Sequence, residues 1–282
     1  MAALSGRASL CVLVASLVFT VAGSRPIAAQ EDWTYPVPRL EAFGPYTLWL
    51  EKVPLEDRFP FGYYTLRVFL PAPSHLGSEL IIPAAWDFYT FGSGDITGDG
   101  YPDVVVELYS GGVHCCYTYV VLSLGPELRV IPLPLRADGP ATFVDLDDDG
   151  IYEVLGWDPI FHYVYCGHPQ TPWAQVILGY EEGRGYVPVS PQFPEAYDAL
   201  IERHTVLAEQ VKQGLHGGPD DLAKCMVLHL VLDYLYSGRS EEAWAALYEY
   251  YPYPDVLEFH QEIVIRLGLS DLYVPPEEHR RR

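Results

Sequence analysis

Apolar positions along the 282-residue chain fall into three regimes. From Ala8 to Ala22 they are almost unbroken; from about residue 33 to 190 they come as short runs of Val, Leu, Ile and Tyr divided by Gly, Pro and Asp; beyond Pro194 they recur at helical spacing. Short apolar runs bounded by turn formers suit half-buried strands. The middle regime therefore predicts strands at 46–51, 63–70, 103–108, 117–124, 128–133, 152–156 and 173–180. The last regime predicts a helix over 196–215, with Leu200, Ile201, Val206 and Leu207 as its apolar positions. A second helix over 222–236, capped by Asp220 or Asp221, is apolar on nearly every side and has to be buried. A third starts at a capping Ser240, with Glu241 and Glu242 at its positive end, and a fourth covers 255–267. The expected fold class is α+β. A mainly β repeat domain over 30–192, partial propeller-like or sandwich-like, precedes a small helical domain over 193–273 and a disordered tail over 274–282.

The first regime has the shape of an export signal. Arg7 precedes the apolar run, and small residues gather before a cleavage point after Ala29, with a cut after Gly23 as the alternative. The uncharged stretch lies at the short end of what spans a bilayer. No later stretch is long enough, so no membrane span is expected after cleavage. Cys11 sits before the apolar core, which argues against a lipid-anchored cysteine. The expected location is secreted or periplasmic.

Charge narrows the partners. The formal net charge is −21, from 17 basic and 38 acidic residues, and the signal segment contains Arg7 and Arg25 but no acid. Nucleic acid and anionic membranes require a basic face and are not expected. Tyrosine is abundant, with 22 residues, which favours strands with half-wet faces.

Part of the negative charge is concentrated in two loops. Asp95-Ile96-Thr97-Gly98-Asp99-Gly100-Tyr101-Pro102-Asp103 and Asp145-Leu146-Asp147-Asp148-Asp149-Gly150-Ile151-Tyr152-Glu153 share one pattern: oxygen-bearing side chains at positions 1, 3, 5 and 9, and Gly at position 6. A hard divalent cation takes six to eight oxygens, and one tight turn of this spacing supplies most of them. The expected Ca²⁺ ligands are Asp95, Thr97, Asp99 and Asp103 with the carbonyl of Tyr101, and Asp145, Asp147, Asp149 and Glu153 with the carbonyl of Ile151. Thr97 replaces an acid, so the second loop is expected to bind more tightly. An EF-hand is excluded, because position 12 is Val106 in one loop and Gly156 in the other. Each loop has an apolar lead-in (Phe91; Phe143-Val144) and is followed by a strand, so the unit recurs at the scale of a propeller blade or long β-repeat.

These loops resemble the calcium-binding loops of FG-GAP/VCBS-type repeats, found in integrin α-chain propellers and many exported bacterial proteins. The resemblance covers roughly 85–185 and implies structural calcium within a β-repeat domain. The stretch from Tyr234 through Gly238 to Trp244 resembles the turn of a tetratricopeptide-type helix pair, though only one such unit is visible.

Four cysteines remain after the signal segment: Cys115, Cys116, Cys166 and Cys225. In an oxidising compartment an even number points to disulfides. The preferred pairing joins Cys115 or Cys116 to Cys166, with Cys225 read either as a buried free thiol or as a bridge partner. His114, Cys166 and His168 form a possible second metal site, set against a plainer reading of a Gly-Gly turn and a structural disulfide. Gly-x-Ser-x-Gly, phosphate-cradling and His-Glu-x-x-His motifs are absent. The leading functional expectation is a non-enzymatic binding or scaffold module whose partner is a protein or a cell-envelope polymer. The alternative is a metal-dependent hydrolase of the cell envelope or extracellular space.

Overall fold

A computed structural model of the chain describes residues 38–53, 63–72, 77–112, 115–136, 139–217 and 220–276. The expected signal segment and the residues of the tail beyond 276 lie outside them. Twelve strands come first and four α-helices follow, so the architecture is α+β. The strands are β1 (Arg39–Phe43), β2 (Tyr46–Val53), β3 (Tyr63–Phe69), β4 (Glu79–Pro83), β5 (Ala85–Tyr89), β6 (Asp103–Gly112), β7 (Cys115–Leu124), β8 (Leu128–Pro132), β9 (Thr142–Val144), β10 (Glu153–Asp158), β11 (Ala174–Glu181) and β12 (Gly185–Pro188). They form three four-stranded antiparallel sheets of consecutive strands, β1–β4, β5–β8 and β9–β12. No closed propeller is formed by them.

Burial follows from how these sheets stack. In β3 of the first sheet, Tyr64, Leu66 and Val68 are buried while Thr65, Arg67 and Phe69 are only partly covered. This period of two marks one dry face. In β6 the alternation disappears, because Val104, Val105 and Val106 are all buried. Val104 and Val106 join the core of the first sheet, with Leu48, Leu50, Leu66 and Val68. Val105 joins a larger core made with the third sheet and the helices. The second sheet is thus a middle layer, and its strands read as continuous apolar runs because both faces are dry.

The helices cover the third sheet. They are α1 (Asp198–Lys212), α2 (Asp220–Tyr236), α3 (Ser240–Tyr250) and α4 (Val256–Leu267). Helix α2 is buried as its all-round apolarity requires, and packs on β11. Its polar residues are paired: Asp233 Oδ2 lies 2.6 Å from His204 Nδ1 of α1. The Tyr236 hydroxyl donates to Asp158 Oδ2 over 2.6 Å, and the Ser270 hydroxyl donates to the same oxygen, so one buried carboxylate joins β10, α2 and the segment after α4. Ser240 is the first residue of α3, not its cap. Arg239 occupies the cap position without a capping bond, and its guanidinium instead holds the Pro194 carbonyl and the Asp198 carboxylate.

The cysteine pairing differs from the expected one. Cys166, in the β10–β11 connection, is bonded to Cys225 of α2, clamping the third sheet to the helical layer. Cys225 is therefore not a free thiol, and Cys166 is not the partner of Cys115 or Cys116. The side chains of Cys115 and Cys116 lie outside the described residues. The reason is positional: burial of α2 against the third sheet brings Cys225 to the connection that carries Cys166. Closing a loop of 59 residues restricts the unfolded chain strongly. Cys225→Ser is expected to lower stability by about 2–4 kcal/mol, read as a lower urea midpoint.

One carboxyl in the middle layer is only partly supported. Glu107 of β6 is 3 % exposed, and its Oε2 has no hydrogen-bond partner. It lies opposite Asp87 on one side and Tyr119 on the other. Burial, with the nearby Asp87 charge, pushes its pKa up to about 7, partly offset by the Tyr119 hydroxyl. A carboxyl whose folded-state pKa is raised holds a proton that the unfolded chain has released. Stability contributed by that proton is therefore lost as the pH rises from the ordinary glutamate value through about 7. Glu107→Gln is expected to have its largest advantage over the parent protein at pH 8 and little at pH 4.5, no more than about 3 kcal/mol, in paired thermal melts.

Candidate metal centre

Both acidic loops join the first strand of a sheet to its second: 90–102 joins β5 to β6, and 145–152 joins β9 to β10. Their backbones are folded alike. Position 4 has positive φ in each, 71° at Gly98 and 60° at Asp148, and so does position 6, 87° at Gly100 and 90° at Gly150. Glycine suits such angles; aspartate tolerates position 4 because its short polar side chain bonds locally.

Three hydrogen bonds recur in both loops. The position 6 N–H donates to the position 1 carboxylate, Gly100 to Asp95 over 2.8 Å and Gly150 to Asp145 over 3.0 Å. The position 7 N–H donates to the position 5 carboxylate, Tyr101 to Asp99 over 2.8 Å and Ile151 to Asp149 over 2.7 Å. The position 2 N–H donates to the position 9 carboxylate, Ile96 to Asp103 and Leu146 to Glu153, both over 2.9 Å. The last bond closes each loop onto the start of its strand. Asp103 and Glu153 are buried, and burial pushes both pKa values up, against the hydrogen bonds they accept.

The loops also touch. The Tyr152 N–H donates to the Ile96 carbonyl over 2.9 Å. A Cβ at Gly98 would meet Ile151 Cγ1 at 3.0 Å, which accounts for glycine there. Phe91 stacks on Phe143 with ring centroids 5.1 Å apart, so the two lead-in residues pack as a pair. Tyr186 of β12 is buried beneath both loops; burial, Asp103 and Glu153 together push its pKa up, and its hydroxyl has no hydrogen-bond partner.

The two loops differ in how their acids are disposed. In the second, carboxylate oxygens of Asp145, Asp147 and Asp149 lie within 4.8 Å of one another, the one such group of three among the described residues. In the first, the Thr97 hydroxyl donates to Asp103 Oδ2 over 2.8 Å, and Asp99 Oδ2 accepts from the Ser123 hydroxyl and from Arg129 Nη2. Burial pushes the Asp99 pKa up, but those bonds and the Tyr101 N–H outweigh it and hold the carboxyl below its ordinary range. Asp103 Oδ1 is buried with no partner. The donor set fits a hard cation: convergent carboxylates in the second loop and an orphaned carboxylate oxygen in the first.

Comparison with protein-family models, with curated proteins and with solved structures finds no match.

The other expected cluster does not assemble as a metal site. Cys166 is spent in its disulfide. His168 packs on His162 and Trp173, with ring centroids 5.4 and 5.9 Å away. His114 lies outside the described residues. Sequence reading missed Ser123, Arg129 and Tyr186, which reach the loops from β7, β8 and β12. Only strand register brings them there, and no local pattern encodes it. Gly98→Ala and Gly150→Ala are each expected to cost about 1–2 kcal/mol in chemical denaturation without added metal. Gly98→Ala should cost more, since its methyl also presses on Ile151.

Proposed function

We propose that this chain is an exported binding or scaffold module without an enzymatic role, in which Ca²⁺ stabilises β-repeat loops of the FG-GAP/VCBS type. The observation that carries the reading is the duplicated loop. Two acidic turns with the same left-handed positions and the same three hydrogen bonds sit between first and second strands of successive four-stranded sheets. The convergence of Asp145, Asp147 and Asp149 supplies the charge that an ion would neutralise. Three successive four-stranded sheets, the second forming a middle layer, accord with a partial propeller-like or sandwich-like repeat domain. A disulfide between sheet and helix fits an oxidising compartment, and among the described residues no helix is long and apolar enough to cross a membrane. With an acidic surface, the partner is a protein or a cell-envelope polymer and not nucleic acid.

Calcium would neutralise carboxylates crowded at the sheet ends, so its effect falls on stability. Sites with Kd of about 10⁻⁴–10⁻³ M each contribute roughly 0.4–1.4 kcal/mol at about 1 mM ion. Thermal unfolding of residues 30–282 should shift upward by several degrees between chelator and millimolar calcium. Asp149→Asn should remove most of the shift while leaving the melt in chelator nearly unchanged. A shift absent from the parent protein would refute structural calcium.

A further inference from the structure

The two loops share one backbone but not one set of neighbours, and strand register makes the difference explicit. Val104 pairs with Leu122 in the second sheet as Val154 pairs with Leu178 in the third. The next residues are Ser123 and Gly179, which pair in turn with Arg129 and Val187. The first loop therefore faces a hydroxyl and a guanidinium where the second faces a glycine and a valine. Both polar groups are engaged with the loop: Ser123 Oγ–H and Arg129 Nη2 donate to Asp99 Oδ2, and Arg129 Nη1 lies 3.2 Å from the Tyr180 hydroxyl oxygen, which fixes the guanidinium's direction. The equivalent Asp149 accepts the Ile151 N–H on Oδ1, and its carboxylate joins the Asp145–Asp147 group.

We propose that Arg129 is a built-in counter-ion of the first loop that competes with a divalent cation for Asp99, so that the second loop fills first and the first only at higher calcium. The inference rests on the calcium reading of the loops. The first loop is still shaped for an ion. Asp103 is 1 % exposed, and its Oδ2 is held by the N–H groups of Ile96 and Thr97 and by the Thr97 hydroxyl, which seats the carboxylate inside the loop while Oδ1 has no partner. What the loop lacks is a free position 5 carboxylate. A cation approaching Asp99 meets a fixed positive charge on the same oxygen, and like charges at such range oppose each other even near the surface. The two loops are also tied by the Tyr152–Ile96 backbone bond, through which loading either one would brace the other.

Calorimetric calcium titration separates the terms. Asp147→Ala with Asp149→Ala, or Asp145→Ala should that variant fold poorly, silences the second loop and leaves the first to be measured alone. Arg129 is partly exposed, and Arg129→Met retains its apolar stem. On the silenced background, Arg129→Met should tighten calcium binding by at least about tenfold. In the otherwise unchanged chain it should bring the second binding step to lower calcium, closer to the first. Calcium binding that is indifferent to Arg129→Met, or weakened by it, overturns the competition and leaves the calcium reading intact. No calcium binding by the unchanged chain overturns both. As a readout free of metal, Arg129→Met in chelator should lower the melting temperature when Asp99 is present and have little effect on an Asp99→Asn background; equal effects on both also overturn the proposal.

Discussion

A buried carboxylate at the first residue of a strand is the constraint around which this chain is organised. Asp103 opens β6 and Glu153 opens β10, both are buried, and each would be costly to ionise without compensation. The chain compensates by folding the preceding acidic turn back on itself, so that the position 2 N–H points at the carboxylate. That requirement selects the left-handed residues at positions 4 and 6, and sets where each strand begins. The loop's acids are then crowded together as a by-product of its closure. Backbone N–H groups of the turn offset part of that crowding.

The same constraint aligns the layers. With both loops at one end of adjacent sheets, Tyr152 bonds to Ile96, and Phe91 stacks on Phe143. Once those ends are in register, β6 and β7 are sealed between the outer sheet and the third, and every residue from Val104 to Val106 is dry. The third sheet is sealed in turn by α2. Close approach of the β8–β9 connection explains Gly156, where a Cβ would stand 2.7 Å from the Leu135 side chain. The Cys166–Cys225 bond and the Asp158 carboxylate hold the helices to the sheet. Strands of the second and third sheets share one core with the helices, so the change of pattern near Pro194 is a change of element type within it.

What was legible in the sequence was local. The acidic turns, the strands around Val104–Val106 and the buried α2 all declare themselves through spacing of side chains along the chain. Boundaries followed to within a few residues where periodicity was strong. β1, β4, β5, β9 and β12 were not anticipated as separate strands. They are edge or short elements, such as the three residues of β9, whose stability comes from pairing and not from pattern. The disulfide was misassigned for a related reason. Adjacency of Cys115 and Cys116 in one strand says nothing about which distant residue they meet, whereas Cys225 reaches Cys166 only through the packing of α2 on β11. Ser123, Arg129 and Tyr186 have no local signature at all.

Arg129 makes the larger point about repeated elements. Two loops of nearly identical covalent pattern would be expected to behave alike, apart from Thr97. Their electrostatics are instead decided by what the next two strands present, Ser123 and Arg129 in one sheet, Gly179 and Val187 in the other. A guanidinium supplies one fixed positive charge and directional hydrogen bonds; a divalent cation supplies two charges and demands more oxygens. In the first loop part of the negative charge is answered from within the chain, by Arg129. In the second, the three convergent carboxylates accept from backbone N–H groups of the same turn. In a protein of net charge −21, the two turns thus differ in where their charge is answered, the first from a neighbouring strand and the second from its own backbone.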